Sequence, residues 1–408
     1  MAQTERRDST NNSARVAVTA AGVISPLGFG LAETLESLRS ARDCVTPVMR
    51  FSVTQCRCKT AGQVSDSRLL ASHAQIPRSG RLHRASHMMI QALQELVTQQ
   101  PEFEPELTVV GTTSGGMSYG ERYYRSLNGA GDLRHAPTWI ANYPAQKPVI
   151  DAQTAFGLSA PCYVIANACA SGTNAIGHAF ECVRSGRYRQ VLAGGHDALA
   201  EMVFVGFDSL QASTPEKCRP FDRHRSGMVL GEGAAVLALK ISTSLASAAR
   251  LFSPKSSVTA FPQTIFTSRN RSHRASERDK QWSGLSRARI CLWRTLIISM
   301  RMGIATVFND ATEGKAISAL FNGVPVSSTK SMMGHSLGAA GAIEAVVCLL
   351  ALQHQFLPAN VNFTAPDNDL DLNIVANEAR PAAVSMALSN SFGFGGTNAS
   401  LIMRKFEA

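Results

Sequence analysis

Asn167-Ala168-Cys169-Ala170-Ser171-Gly172 follows an apolar run, Cys162 to Ala166, and precedes a helical pattern made by Ala175, Ile176, Ala179, Phe180 and Val183. A strand that turns into a helix through small residues presents its thiol at the helix start. The unpaired amides and positive dipole end there favour thiolate, the nucleophilic form. Taken alone, the same pattern also describes a small core residue, because cysteine is among the most buried residue types.

Two further segments change the balance. Lys330-Ser331-Met332-Met333-Gly334-His335-Ser336-Leu337-Gly338-Ala339-Ala340-Gly341 places a histidine at the head of a second helix of small residues. Asn390-Ser391-Phe392-Gly393-Phe394-Gly395-Gly396-Thr397-Asn398 reads as a glycine turn between two strand-like runs, Ala383 to Leu388 and Ala399 to Met403. No Lys-Ser/Thr pair closes it, so it is not a phosphate loop. A thiol, an imidazole and a flexible turn together fit covalent acyl transfer.

On these segments the chain resembles a β-ketoacyl-acyl carrier protein synthase. The agreement begins at Val16-Ala17-Val18-Thr19-Ala20-Ala21-Gly22-Val23-Ile24-Ser25-Pro26-Leu27-Gly28 and continues through Gly111-Thr112-Thr113-Ser114-Gly115-Gly116. It includes Cys218-Arg219-Pro220-Phe221-Asp222-Arg223-His224-Arg225-Ser226-Gly227-Met228-Val229-Leu230-Gly231-Glu232-Gly233 and ends on the last strand. The resemblance implies Cys169 as the acylated nucleophile and His335 as one of two active-site histidines. Lys330 and Glu344 become their supporting charges, with Phe392, Gly393, Phe394, Gly395 and Thr397 on a gating loop that meets substrate. It also implies a thiolase-like α/β fold of two similar halves in an αβαβα arrangement, and a homodimer. No metal and no cofactor of its own are expected; the acyl groups would arrive on the phosphopantetheine of an acyl carrier protein partner.

Bulk properties agree with that class. A chain of 408 residues that is 45% hydrophobic can bury a large core. Nine cysteines without paired spacing, and no signal peptide, point to a cytoplasmic protein. No apolar run reaches membrane-spanning length; Ala342 to Leu352 contains Glu344 and reads as a buried helix. Residues 1–13 are a polar, disordered lead-in, 14–249 the half carrying the nucleophile, and 250–408 the second half.

The net charge of +10 is unevenly spread. From Arg250 to Ala305 eleven Lys or Arg stand against Glu277 and Asp279, so this stretch carries +9 of it. It holds Trp282 and Trp293 and has neither helical nor strand periodicity. A basic nucleic-acid arm, a solvated insertion and an out-of-frame segment are the readings to separate. Met300-Arg301-Met302-Gly303 can be written ATG CGC ATG GGN, and reading from the last base of the preceding codon gives Asn-Ala-His-Gly. The family the chain resembles carries its first histidine in His-Gly-Thr-Gly-Thr, followed two residues later by Asn-Asp, and Asn309-Asp310 stands where that pair should. In the same register Leu292 to Ser299 allows Leu-Glu-Asp-Ile-Asp-Tyr-Ile-Asn, and Ser257 to Phe261 allows Gly-Tyr-Gly-Phe. The segment 250–305 is therefore read as frameshifted, with the first family histidine missing near Met302, and a nucleic-acid function falls with that reading.

Three other functions remain to be weighed. A thiolase would carry a second cysteine near the last glycine turn, where Asn390-Ser391-Phe392-Gly393 stands. A silent chain-length partner would ordinarily lack the nucleophile. A specialised ketosynthase, for polyketide, aryl-polyene or nodulation-signal acyl chains, is not separable from fatty acid elongation by these residues.

Overall fold

Strands buried on both faces read as continuous apolar runs, and Leu107–Gly111 and Gln190–Asp197 read that way. The structure is a computed structural model that describes residues 15–72, 76, 79–129, 133–242, 258–261, 297–300, 303–321 and 323–405. The lead-in at 1–13, Met302 and most of the 250–305 segment lie outside the described residues.

The principal sheet contains Arg15–Ser25 (β1), Leu107–Gly111 (β2), Cys162–Ile165 (β3), Gln190–Asp197 (β4), Gly233–Ser242 (β5), Val258–Phe261 (β6), Ile297–Met300 (β7), Pro325–Ser327 (β8), Asn373–Ile374 (β9), Met386–Phe392 (β10) and Asn398–Lys405 (β11). Their spatial order is β9-β8-β7-β10-β11-β6-β1-β5-β4-β2-β3. From the seam outward, β1, β5, β4, β2 and β3 pair antiparallel, antiparallel, parallel and parallel. On the other side β6, β11, β10, β7 and β8 pair in the same senses. The chain visits both sets in the same order, so the fold is one α/β unit used twice. The two sets meet where Ala17 and Val18 pair with Thr259 and Val258.

The helices around this sheet include Arg84–Gln99 (α1), Lys147–Ala155 (α2), Ser171–Arg184 (α3), Glu201–Ser209 (α4), Val307–Leu320 (α5) and Ala340–His354 (α6). Helix α1 lies on β1, β4 and β5 and carries α2 outside it, whereas α3 and α6 touch strands of both sets. They form the middle layer, which explains their composition. A helix enclosed by sheets has no solvent face, and α6 is buried without interruption from Ala340 to Leu352. The two helices cross where neither can carry a side chain: a Cβ at Gly172 would lie 2.7 Å from the Gly338 carbonyl oxygen, and one at Gly341 2.7 Å from the Thr173 nitrogen.

Two sequence expectations need correction. Leu337–His354 is long and apolar enough to cross a membrane, because the short turn before α6 extends its apolar run. That stretch is 89% buried within the fold and forms its core. Asn390, Ser391 and Phe392 belong to β10 and not to the glycine turn, since they pair with Ser400, Ala399 and Asn398 and are buried. Continuing the ladder satisfies their backbone groups, and the turn shrinks to 393–397.

Candidate active site

Strand β3 ends at Ile165, and the chain then makes a short 3-10 turn, Ala168–Ala170, before entering α3. Ala168 has φ +59°, a left-handed conformation that costs a residue with a side chain about 1–2 kcal/mol. The Ser171 hydroxyl holds it, accepting from the Asn167 amide at 2.9 Å and donating to the Ala168 carbonyl. This strained elbow puts Cys169 at the head of α3, with the residue only 5% exposed.

The second half repeats the device. Leu337 has φ +52° and opens the 3-10 turn Leu337–Ala339, which runs into α6. Ala168 thus corresponds to Leu337, Cys169 to Gly338 and Gly172 to Gly341. The two turns pack together, and Cys169 shares an apolar cluster with Leu337 and Phe392.

His335 lies two residues before Leu337, outside the helix at whose head the sequence places it. Gly334, with φ +75°, turns the chain, and Val229–Gly231 then clamps it. The His335 amide donates to the Val229 carbonyl at 2.7 Å, and its carbonyl accepts from the Gly231 amide at 2.9 Å. The ring is buried, and among the described residues neither nitrogen has a hydrogen-bond partner. Burial, helped by the Lys330 charge, holds it well below the usual imidazole range. It is neutral, with one nitrogen free to donate and the other to accept.

Lys330 and Glu344 form a buried ion pair. Burial pushes Glu344 up to about 7 against the pull of Lys330, and the Ser389 hydroxyl faces it. Nearby, Asn390 Nδ2 donates to Glu313 at 3.3 Å and Ser400 to Asn390 at 2.8 Å. Glu313 also accepts from the Gly303 amide at 3.0 Å, which fixes the residue next after Met302. Asp310 accepts from the Phe221 amide at 2.8 Å and the Ile304 amide at 3.1 Å, and burial pushes it up to about 6.

The glycine turn closes over Cys169. Gly395 and Gly396 have φ +100° and +94°, where only glycine is unstrained. The Thr397 hydroxyl donates to the Asn167 carbonyl at 3.4 Å, and Gly393 lies against the same carbonyl. Phe394 is 70% exposed, its ring meeting Phe207 edge-on at 6.2 Å. Burial pushes the Cys169 thiol up to about 11, while the backbone N–H groups of Phe394 and of Cys169 itself face the sulfur and oppose that shift. The thiolate expected from the helix end is therefore corrected. In this closed arrangement desolvation outweighs the dipole, and the two amides stand ready for an anion.

The structure thus brings together Cys169, the His335 turn and the 393–397 turn, with Lys330 and Glu344 one layer behind. Sequence reasoning missed Asp197, Glu232 and Glu313, all fully buried. For Asp197 a signal existed: it is the lone acid ending the apolar Val191-Leu192-Ala193-Gly194-Gly195 run. Glu232 accepts from Arg84 and from the Val64 and Leu199 amides, tying three segments beside the Val229–Gly231 clamp.

Two family models match the chain: "Beta-ketoacyl synthase, N-terminal domain" over residues 13–244 and "Beta-ketoacyl synthase, C-terminal domain" over 297–364. A 3-oxoacyl-[acyl-carrier-protein] synthase 2 of Synechocystis sp. is 32% identical, the match covering 96% of this chain and 98% of the relative. Among solved structures, the ishigamide ketosynthase/chain length factor superposes with a TM-score of 0.85 at 28% identity, covering 97% of this chain and 100% of that one. A β-ketoacyl synthase from Burkholderia phymatum does so with a TM-score of 0.81 at 25% identity, covering 97% and 100%.

Proposed function

The chain belongs to the β-ketoacyl synthase family, and from that membership we propose that Cys169 and His335 carry its condensation reaction. The enzyme is an acyltransferase of the condensing type, working in fatty acid or polyketide synthesis. In the first half-reaction the Cys169 thiol gives up its proton as its sulfur attacks the thioester carbonyl of an acyl group on carrier-protein phosphopantetheine. The carbonyl oxygen becomes an oxyanion that the Cys169 and Phe394 amides stabilise. The carrier thiolate then leaves and takes up a proton. In the second, a malonyl thioester loses carbon dioxide, its carbanion attacks the acyl-Cys169 carbonyl, and the cysteine sulfur leaves to give a 3-oxoacyl thioester. Neutral His335 donates a hydrogen bond to the enolate-like oxygen formed on decarboxylation. Lys330 and Glu344 fix the polar layer behind it. Phe394, on a turn hinged by two glycines, moves aside to admit the acyl chain.

The observation that carries this reading is the buried thiol on a strained elbow with two amides at its sulfur. Incubation with an acyl-carrier-protein thioester should add one acyl group to the intact mass, and Cys169→Ala should show none. An adduct that persists in Cys169→Ala would refute it.

Strand β3 ends the sheet with one edge unpaired among the described strands, and Tyr163 on it is 56% exposed. An open edge of this kind suits pairing with its copy in a homodimer, which sedimentation at twice the chain mass would confirm and at the chain mass would exclude. A carrier-protein partner and a cytoplasmic place of action follow from the same family reading.

A second proposal concerns residues 250–305. The two family matches leave 245–296 between them, and that interval holds most of the surplus positive charge. We infer that two compensating frameshifts, near Ala248 to Leu251 and near Gly303 to Thr306, replaced the family sequence and its first histidine. Met302 can neither donate a strong hydrogen bond nor shuttle a proton. The chain as written acylates Cys169 but is badly impaired in condensation, functionally close to a silent chain-length partner.

A further inference from the structure

Asp197 ends β4, is fully buried and faces no cationic side chain within hydrogen-bonding distance among the described residues. Its charge is instead met by five donors. Oδ1 accepts from the Thr112 hydroxyl at 2.8 Å, the Ser114 amide at 2.8 Å and the Ser114 hydroxyl at 2.7 Å. Oδ2 accepts from the Thr113 amide at 2.8 Å and the Gly338 amide at 2.6 Å. A carboxylate offers about four lone-pair sites, so this one is saturated. Charge-assisted bonds to fixed amides are the strong kind.

The partners matter as much as their number. Thr112–Ser114 is the turn leaving β2 in the first half. Gly338 belongs to the second half, three residues after His335. In the repeat it occupies the position of Cys169, so its amide is the counterpart of one of the two that face the thiol sulfur. A side chain at 338 would meet the carboxylate, a Cβ there lying 2.7 Å from Asp197 Oδ2 and 2.5 Å from the Thr113 nitrogen. The first elbow thus keeps its amides for a reacting group, and the second has its amide filled by the protein's own anion.

We propose that Asp197 is a positioning residue for the condensation site, clamping the turn after β2 to the second elbow and, because the two elbows pack together, holding the Cys169 elbow and its amides in place. It deepens the reading of Cys169 and His335 given above and rests on it. The charged groups facing the thiol are Asp197, which disfavours the thiolate, and Lys330, which favours it; His196 adjoins Asp197. Removing the Asp197 charge therefore has a signature at Cys169 that loss of packing alone would not give.

The test uses the full chain, with Asp197→Asn and Thr112→Val, and reads two quantities. The first is the pH dependence of Cys169 alkylation by iodoacetamide, which needs no substrate. The second is the rate of acyl transfer from an acyl-carrier-protein thioester. In the original chain, alkylation should climb through the alkaline range. In Asp197→Asn the rise should move to lower pH while acyl transfer falls roughly ten- to a hundred-fold, the scale of a misplaced reacting group. Thr112→Val keeps the charge and removes one donor; it should leave the alkylation profile in place and slow acyl transfer severalfold. An unchanged profile together with unchanged transfer in Asp197→Asn would overturn the proposal. If Asp197→Asn fails to fold, original acyl transfer in folded Thr112→Val would do so. Failure of the original chain to accept any acyl group, with normal alkylation, would count against the function and leave the alkylation comparison still deciding on Asp197.

Discussion

Lys330 and Glu344 were recognisable in the sequence only through the family resemblance, because nothing in their local pattern announces a pair fourteen positions apart. The structure gives the physical reason they go together. Each is fully buried, and an ion taken from water loses several kcal/mol that only a well-placed opposite charge restores. Helix α6 is apolar on every side, so Glu344 is a liability to the fold without Lys330. Glu344→Gln is expected to destabilise the chain by about 3–5 kcal/mol, because it removes the carboxylate that offsets a buried ammonium. The double change Lys330→Met with Glu344→Leu should recover most of that loss. Urea unfolding of the single and double variants measures both effects, and a single change costing under about 1 kcal/mol would show that the pair is not structural. The double variant should still be poor in malonyl decarboxylation, since the charge beside His335 is gone.

The helices show where composition was informative and where it was not. Alanine and glycine after Cys169 and after His335 already indicated close packing, and the contact of α3 with α6 at Gly172 and Gly341 accounts for it. The end of β10 was not legible, since Asn390 and Ser391 look like turn residues until their partners on β11 are known. Glycine in a helix therefore has two meanings here, and one substitution distinguishes them. Gly341→Ala forces a Cβ into the Thr173 backbone and should cost about 1–3 kcal/mol. Gly206→Ala in α4 meets nothing within 4 Å and should stabilise by about 0.5–1 kcal/mol through helix propensity. Thermal or urea midpoints that move in the same direction for both would contradict the packing assigned to the middle layer.

The twofold design of the fold was faint in the sequence because the halves share geometry more than residues. Cys169 matches Gly338, Thr173 matches Ala342, and the strands that should open the second half, β6 and β7, are written in the basic 250–305 segment. Both frames are compatible with strands at those places. Ile297-Ile298-Ser299-Met300 is as strand-prone as the Tyr-Ile-Asn of the other frame, so backbone placement does not separate them. Chemistry does. The site has a polar layer, Glu313 with Asn390 and Ser400, that grips Gly303, the residue that follows position 302 in the chain. A histidine there could join His335 in holding the enolate oxygen, and methionine cannot. The decisive comparison is the chain as written against one in which the hidden frame is restored between the two shift points, both assayed with the same carrier protein. Acyl loading of Cys169 depends on the elbow and its amides, all present in both, and should differ little once corrected for the folded fraction. Malonyl decarboxylation depends on the histidine pair and should be at least a hundred-fold faster in the restored chain, the combined effect expected of a lost proton-handling and hydrogen-bonding group. Equal decarboxylation would refute the impairment even if resequencing of the gene confirmed the shifted frame, because Met302 would then be irrelevant to a reaction completed by His335 alone.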